Sequence, residues 1–186
     1  MKKNICVFGG SRSGKNKKIK NSSKKIGQII AEMGFNLIFG GGETGIMGAV
    51  SSSVIKNGAK TTGIIPGFLL KNDLLDSTHS NEFNSKLITT EDMHQRKKTM
   101  YKKSNAFLVL PGGVGTLDEC FEVLTWCQLN QITNKQVGII NFEGYWDPLL
   151  KLINHLIEEE FMGNHNLNFF QEIKSTNNLK KFLKNI

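Results

Sequence analysis

The sequence predicts an α/β fold, one doubly wound parallel sheet with helices on both faces. Three observations carry that prediction. Short apolar runs alternate with segments of helical period along the whole chain. Three of those runs lead directly into glycine-rich loops that open helices, as parallel strands do when they pass into their crossover helices. No repeat, linker or shift in composition interrupts the alternation, so residues 1–186 are expected to form a single domain.

Taken in order, Asn4 to Phe8 is the first expected strand, followed by the loop Gly9–Gly14. Ile19, Ile26, Ile30 and Met33 recur at helical spacing, and Gly34 ends that helix. Phe35 to Phe39 is the second strand, and Gly40–Gly45 its loop. Ile46 to Asn57, rich in small residues, predicts a helix packed closely on a sheet and capped by Gly58. Lys60 to Ile65 is the third strand, stopped by Pro66. Gly67 to Asn84 reads as irregular, a candidate lid or edge insertion. Lys86 to Thr89 predicts a short strand, and Thr90 to Lys103 a helix. The strand Ala106–Leu110, the helix Thr116–Leu129, the strand Gln136–Asn141 and the helix Tyr145–Glu160 complete the alternation. The tail holds an apolar patch (Phe169, Phe170, Ile173) and a short helix opening near Ser175. Ligands in such folds sit at the carboxyl ends of the strands, where all three glycine loops fall.

Bulk properties narrow the partners. Hydrophobic residues make up 39% of the 186-residue chain and charged ones 22%, the balance of an ordinary globular protein. No segment approaches the roughly 20 apolar residues a membrane span needs, so no membrane partner is expected. Basic residues precede the first apolar run, but that run is too short for a signal peptide and enters a glycine loop at once. Cys6, Cys120 and Cys127 are an odd number, read as reduced core residues of a cytoplasmic protein. The net charge of +8 comes from scattered lysines without a nucleic-acid-binding module, so no nucleic-acid partner is expected. Of the 24 basic side chains only Arg12 and Arg96 are arginine. A chain that otherwise uses lysine places its two planar forks beside the first glycine loop and in Met93-His94-Gln95-Arg96-Lys97, which points to bidentate contacts at both.

The three loops differ in what they specify. Gly9-Gly10-Ser11-Arg12-Ser13-Gly14-Lys15-Asn16 nearly spells a nucleotide P-loop, but Asn16 stands where the magnesium-binding Ser or Thr belongs. The loop reads instead as a turn approaching a ligand from the pocket's edge. Gly40-Gly41-Gly42-Glu43-Thr44-Gly45 satisfies the dinucleotide pattern, yet Lys60-Thr61-Thr62-Gly63 supplies no acid for a ribose. Pro111-Gly112-Gly113-Val114-Gly115-Thr116-Leu117-Asp118-Glu119 is the most specific. Its bare backbone and the following helix N-terminus suit a phosphate, with Glu119 placed beside the anion. Thr116-Leu117-Asp118-Glu119 also fits a capping box, which would leave Glu119 a structural cap. Three glycines add backbone entropy without improving a cap, and so favour close ligand approach.

Together, Met93–Lys97 and Pro111–Glu119 resemble the two signature motifs of the Lonely Guy family of cytokinin-activating phosphoribohydrolases, long labelled lysine decarboxylases. Cys6 to Ser11, Gly40 to Val50 and Gly138 to Tyr145 resemble the family's other segments in the same order, and the likeness covers about Asn4 to Phe161. The resemblance implies a Rossmann-like homodimer without a cofactor. It would hydrolyse the N-glycosidic bond of adenine-type nucleoside 5′-monophosphates, cytokinin ribotides or AMP, to free base and ribose 5-phosphate. It implies Arg96 and Glu119 as the catalytic pair. Gly112, Gly113, Val114, Gly115 and Thr116 would hold the 5′-phosphate. Ser11, Gly42, Met93, Lys97, Leu117, Asp118 and Thr125 would line the substrate pocket. The family places a substrate-contacting glutamate before the arginine motif. The aligned position here falls near Thr78, and Glu82 is the nearest acid, which leaves the base preference open.

The residues agree with that chemistry. Cleaving the bond develops an oxocarbenium-like sugar, which a carboxylate beneath the ring stabilises only at the transition state. Glu119 is expected to do this and to orient the attacking water, with Arg96 holding ribose or phosphate oxygens and fixing the geometry of Glu119. His94 has no partners at ligand spacing, and no metal site is expected. No segment marks a pyridoxal-binding lysine, which argues against a decarboxylase. Two other classes compete: a molybdenum-cofactor carrier of the same fold, which does not need the Arg96/Glu119 pair, and a magnesium-dependent phosphotransferase.

Overall fold

The computed structural model describes residues 2–70, 85–131, 135–163 and 170–186. Its core is a seven-stranded parallel sheet of order β4-β3-β2-β1-β5-β6-β7. The strands are β1 (Asn4–Phe8), β2 (Asn36–Phe39), β3 (Thr61–Pro66), β4 (Ser85–Thr90), β5 (Ala106–Val109), β6 (Val137–Ile140) and β7 (Phe170–Ile173). The helices are α1 (Lys17–Glu32), α2 (Gly45–Lys56), α3 (Gly67–Leu70), α4 (Met93–Lys103), α5 (Val114–Gln128), α6 (Asp147–Glu158) and α7 (Thr176–Lys184). The doubly wound α/β expectation holds.

Alternation along the strands sorts the side chains into two cores. Ile5, Val7 and Leu108 face a layer of α1, α2 and α7, where Ile26, Ile30, Val54 and Phe182 are buried. Cys6, Phe8, Phe107 and Val109 face the opposite layer of α4, α5 and α6, packed by Met100, Tyr101, Val123 and Ile153. Fully burying side chains of this size stabilises the fold by about 1.5–3 kcal/mol each. Helix α2 packs on the sheet through Ile46, Val50 and Val54, and its small residues also allow a close approach to α1. A Cβ on Gly27 would sit 2.5 Å from the Val50 carbonyl oxygen, and the Ser53 hydroxyl donates to the Lys24 carbonyl at 2.6 Å.

Helix ends follow local chemistry. The Asn16 side chain accepts from the Lys18 N–H, Asp92 from Gln95, and Ser175 from Asn178. Gly34 and Gly58 take positive φ where α1 and α2 stop. Four details correct the sequence reading. Helix α4 begins at Met93 rather than Thr90, because Asp92 caps it. Helix α5 begins at Val114 rather than Thr116. Gly67 to Leu70, expected to be irregular, forms the short α3. The tail patch is strand β7, seated on β6 by pairs such as Val137↔Phe170. The remainder of the candidate lid, with Thr78 and Glu82, and Phe169 of the tail patch lie outside the described residues. Among the described residues no helix is long and apolar enough to cross a membrane.

The chain runs β1 to β4 outward on one side, then returns past β1 to lay down β5, β6 and β7 on the other. The winding therefore reverses between β1 and β5. The loops leaving those two strands diverge there and leave a crevice.

Candidate active site

A cavity of about 590 Å³ occupies that crevice. Its walls are the β1 loop (residues 9–14), the start of α2, the β5 loop with the first two turns of α5, Met93 and Arg96 of α4, and Tyr145 of the β6 loop. The glycine loops interlock to form it. The Gly10 N–H donates to the Pro111 carbonyl at 3.0 Å, and the Gly10 carbonyl accepts from the Ile46 and Met47 N–H groups at 2.9 and 3.3 Å. The Thr44 hydroxyl donates to the Ser11 carbonyl at 2.9 Å. A Cβ on Gly112 would lie 2.1 Å from Thr116 Oγ1 and 2.8 Å from the Gly10 nitrogen, so only glycine fits there.

Gly113 is the N-cap of α5, and no side chain caps it. The first N–H groups of a fifteen-residue helix therefore open into the cavity, with the positive end of the helix dipole behind them. This start also removes the capping-box reading. Thr116 lies inside the helix, its N–H bonded to Gly113 O at 3.0 Å, and Glu119 stands on the second turn with its carboxylate directed elsewhere. Asn16, the odd residue of the P-loop-like segment, spends its side chain on the cap of α1.

Glu119 meets Arg96. Arg96 Nη1 lies 3.0 Å from Glu119 Oε1, and both residues line the cavity while only 9% and 7% exposed. The guanidinium is held on its other edges too. Nε donates to the Ile64 carbonyl within β3 (3.1 Å), and Nη2 lies only 2.2 Å from where a Cβ on Gly40 would be. Burial pushes the Glu119 carboxyl up to about 7, against the pull of Arg96, which favours its charged form. A buried ion pair contributes little net stability compared with apolar residues of the same volume. Its place on a cavity wall is better explained by chemistry than by folding.

The next residue locks the same two helices. Lys97 Nζ pairs with Asp118 Oδ2 at 3.1 Å and Glu122 Oε2 at 2.7 Å, and the Tyr101 hydroxyl also donates to Glu122 at 2.7 Å. Burial works against the Lys97 charge, but the bonds to Glu122 and Asp118 outweigh it and lift the amine above its usual value. Lys97 thus sets the spacing of α4 and α5, one residue from the Arg96–Glu119 pair.

Of the residues singled out in the sequence, the fold brings Ser11, Met93, Arg96, Gly112, Gly113, Val114, Gly115, Thr116, Asp118 and Glu119 to one cavity wall. Gly42, Lys97, Leu117 and Thr125 fall outside the lining. Leu117 packs against the α4–α6 core, and the Thr125 hydroxyl donates back to Phe121 O within α5. Arg12, the other arginine, lines the cavity. Sequence reasoning missed two contributors. Gly40 shapes the seat of Arg96, and Tyr145 lines the cavity with its hydroxyl 2.6 Å from Gly112 O. The three cysteines are free and buried, which pushes Cys120 up to about 12 and Cys127 up to about 11. Among the described residues no cluster of three or more His, Cys, Asp or Glu could hold a metal ion.

Residues 47–183 match the family model described as possible lysine decarboxylase. The chain is 40% identical over 161 residues to a cytokinin riboside 5′-monophosphate phosphoribohydrolase of Arabidopsis thaliana, covering 87% of this chain and 73% of that one. A second Arabidopsis protein of that name is 41% identical over 159 residues, 86% of this chain and 71% of its own. A rice relative (Oryza sativa subsp. japonica), whose name carries the word probable before the same activity, is 40% identical over 159 residues, and the chain spans 61% of its length. Among solved structures, the molybdenum cofactor carrier protein of Chlamydomonas reinhardtii superposes with a TM-score of 0.69 at 18% identity, over 99% of this chain and 97% of that one. DNA processing protein A of Streptococcus pneumoniae gives 0.64 at 16% identity, over 96% and 60%. At those identities the likeness is one of fold.

Proposed function

The chain belongs to the family described as possible lysine decarboxylase, and from that membership we propose that it is a nucleoside 5′-monophosphate phosphoribohydrolase. It cleaves the N-glycosidic bond of adenine-type nucleotides, cytokinin ribotides or AMP, to free base and ribose 5-phosphate. The observation that carries this reading is the buried Arg96–Glu119 pair on the wall of the cavity that α5 opens into. The names of the relatives point the same way. The word decarboxylase in the family description finds no support in the site, since among the described residues no lysine lines the cavity to form a Schiff base.

In this reading the 5′-phosphate rests on the N–H groups at the start of α5, and the Arg12 fork supplies a second positive contact. With the phosphate anchored, the ribose lies over Glu119. As the C1′–N bond lengthens, positive charge grows on the sugar, and the carboxylate stabilises it in a site of low dielectric. The same carboxylate orients the water that attacks C1′. Arg96, tied to Ile64 O, keeps the Glu119 oxygen in place. A homodimer in the cytoplasm belongs to the same proposal, supported by the apolar Leu129 and Phe161 side chains, 61% and 82% exposed, and by the free thiols. A carrier of the same fold would bind its ligand without turnover.

The test is incubation with AMP, with N6-isopentenyladenosine monophosphate and with adenosine, following free base without added metal. Both monophosphates are expected to release base, and adenosine to react poorly, because it lacks the phosphate binding energy that raises kcat/KM. Equal rates for AMP and adenosine would remove the phosphate cradle from the account.

Two further results are expected. Glu119 acts as a carboxylate, and burial holds its neutral form up to about 7. Activity should therefore fall as pH drops through about 7. The phosphate ester adds its own titration near about 6 in any variant, so the Glu119 limb is recognised by its loss in Glu119→Gln. The second concerns Gly40→Ala, where the new methyl occupies the space of Arg96 Nη2. Displacing the guanidinium by about 1 Å is expected to cost about 10²-fold in turnover, with the circular dichroism spectrum unchanged.

A further inference from the structure

The β6 loop reaches across the crevice to the phosphate cradle, and its parts are tightly fixed. Asn141 follows β6 and is 5% exposed. Its N–H donates to Ile173 O at 2.9 Å, and its side-chain amide donates to Asp147 Oδ1 and Glu172 Oε1, both at 2.7 Å. Its Oδ1 accepts the Trp146 N–H at 2.8 Å. Gly144 makes the turn at φ +68°, a left-handed conformation that favours glycine. The buried Trp146 indole meets the Tyr145 ring edge to face, with centroids 4.7 Å apart. Tyr145 is thereby held upright at the cavity wall, 42% exposed, and its hydroxyl donates to the Gly112 carbonyl at 2.6 Å.

That carbonyl belongs to the peptide unit joining Gly112 and Gly113. A trans peptide is planar, so its C=O and N–H point in opposite directions. Fixing the carbonyl on Tyr145 fixes the Gly113 N–H on the other side. With a glycine on each flank this unit has the freest rotation in the loop, and a hydrogen bond is what selects one orientation. Gly113 is also the N-cap of α5, so its N–H belongs to the group that faces an anion.

We propose that Tyr145 is a positioning residue for the phosphate cradle: its hydroxyl locks the Gly112–Gly113 peptide with the Gly113 N–H turned to the substrate's 5′-phosphate. This deepens the phosphoribohydrolase reading and rests on it. The residue acts on phosphate affinity rather than on bond cleavage.

The test compares the wild-type protein with Tyr145→Phe, which removes one oxygen and keeps the ring packing. Affinities for ribose 5-phosphate, inorganic phosphate and adenosine are measured by calorimetry, with KM and kcat for AMP. Loss of the hydroxyl is expected to weaken both phosphate ligands by about tenfold, the scale of one hydrogen bond, and to raise KM by the same factor. Adenosine affinity and kcat should hold within about twofold, the pattern of an interaction equal in ground and transition states. A merely structural role would weaken adenosine as much as ribose 5-phosphate. That outcome, or unchanged phosphate affinity, overturns the proposal while leaving the wild-type activity standing. Wild-type protein that binds neither phosphate ligand sinks the underlying reading as well.

Discussion

Glu119→Gln is expected to lower kcat by about 10²-fold or more, the usual loss when one preorganised stabilising group is removed, while KM for the monophosphate changes little. Glutamine keeps the volume and one oxygen that can still accept from Arg96, so the cavity wall should survive the change. What it removes is the negative charge, which matters only once the sugar becomes cationic. Steady-state kinetics give the split, and calorimetric titration with the monophosphate checks that binding is retained. The low exposure of Glu119 is the reason for the large effect, because a charge shielded from water is screened less than one at the surface. An exposed carboxylate such as Asp118, 52% exposed at its side chain and already paired with Lys97, should matter far less.

Arg96→Lys is expected to retain the charge and still fail, with kcat reduced by about 10²-fold. The guanidinium does three things at once: Nε bonds Ile64 O, Nη1 bonds Glu119, and Nη2 fills the space over Gly40. An ammonium group is a compact point charge without the planar fork, and cannot span partners that lie along three separate edges of the guanidinium. With the Arg96 bond gone, burial acts on Glu119 with less opposition, so its carboxyl should rise further above about 7. The acid limb of the rate profile should then move to higher pH, as pH-rate measurements on the two proteins would show. A lysine variant with the wild-type limb and rate would mean that charge alone suffices and that the fork is incidental.

Much of the fold is legible from periodicity, because the inner strands β1, β2, β5 and β6 are apolar on both faces and α1, α6 and α7 each carry one apolar stripe. Ile5, Val7, Cys6 and Phe8 show why: the β1 run is uninterrupted since both layers bury it. The failures have local causes. The sequence pattern puts the start of α5 two residues late because its N-cap is Gly113, which has no side chain to announce it. Strand β7 is four residues long, and its pairing with β6 comes from tertiary contact rather than from its own pattern.

The candidate site divides in the same way. The glycine loop before α5 is legible because its bare backbone leads straight into a helix, and Arg96 stands out in a chain that otherwise uses lysine. Gly40 and Tyr145 were not readable in these roles. Each acts on a residue distant in sequence, Gly40 beneath Arg96 and Tyr145 on Gly112, and nothing near either position encodes that meeting. Lys97 shows the reverse. Its motif points to the pocket, yet it lies outside the cavity lining and ties α4 to α5.

What leaves the protein when it meets AMP decides whether it is a phosphoribohydrolase. Adenine, ribose 5-phosphate and inorganic phosphate can be followed together in one reaction, with wild-type protein and Glu119→Gln run side by side. Adenine and ribose 5-phosphate in equal amounts, both suppressed in the variant, are the predicted result. Inorganic phosphate without adenine, or equal adenine release from the two proteins, would contradict it.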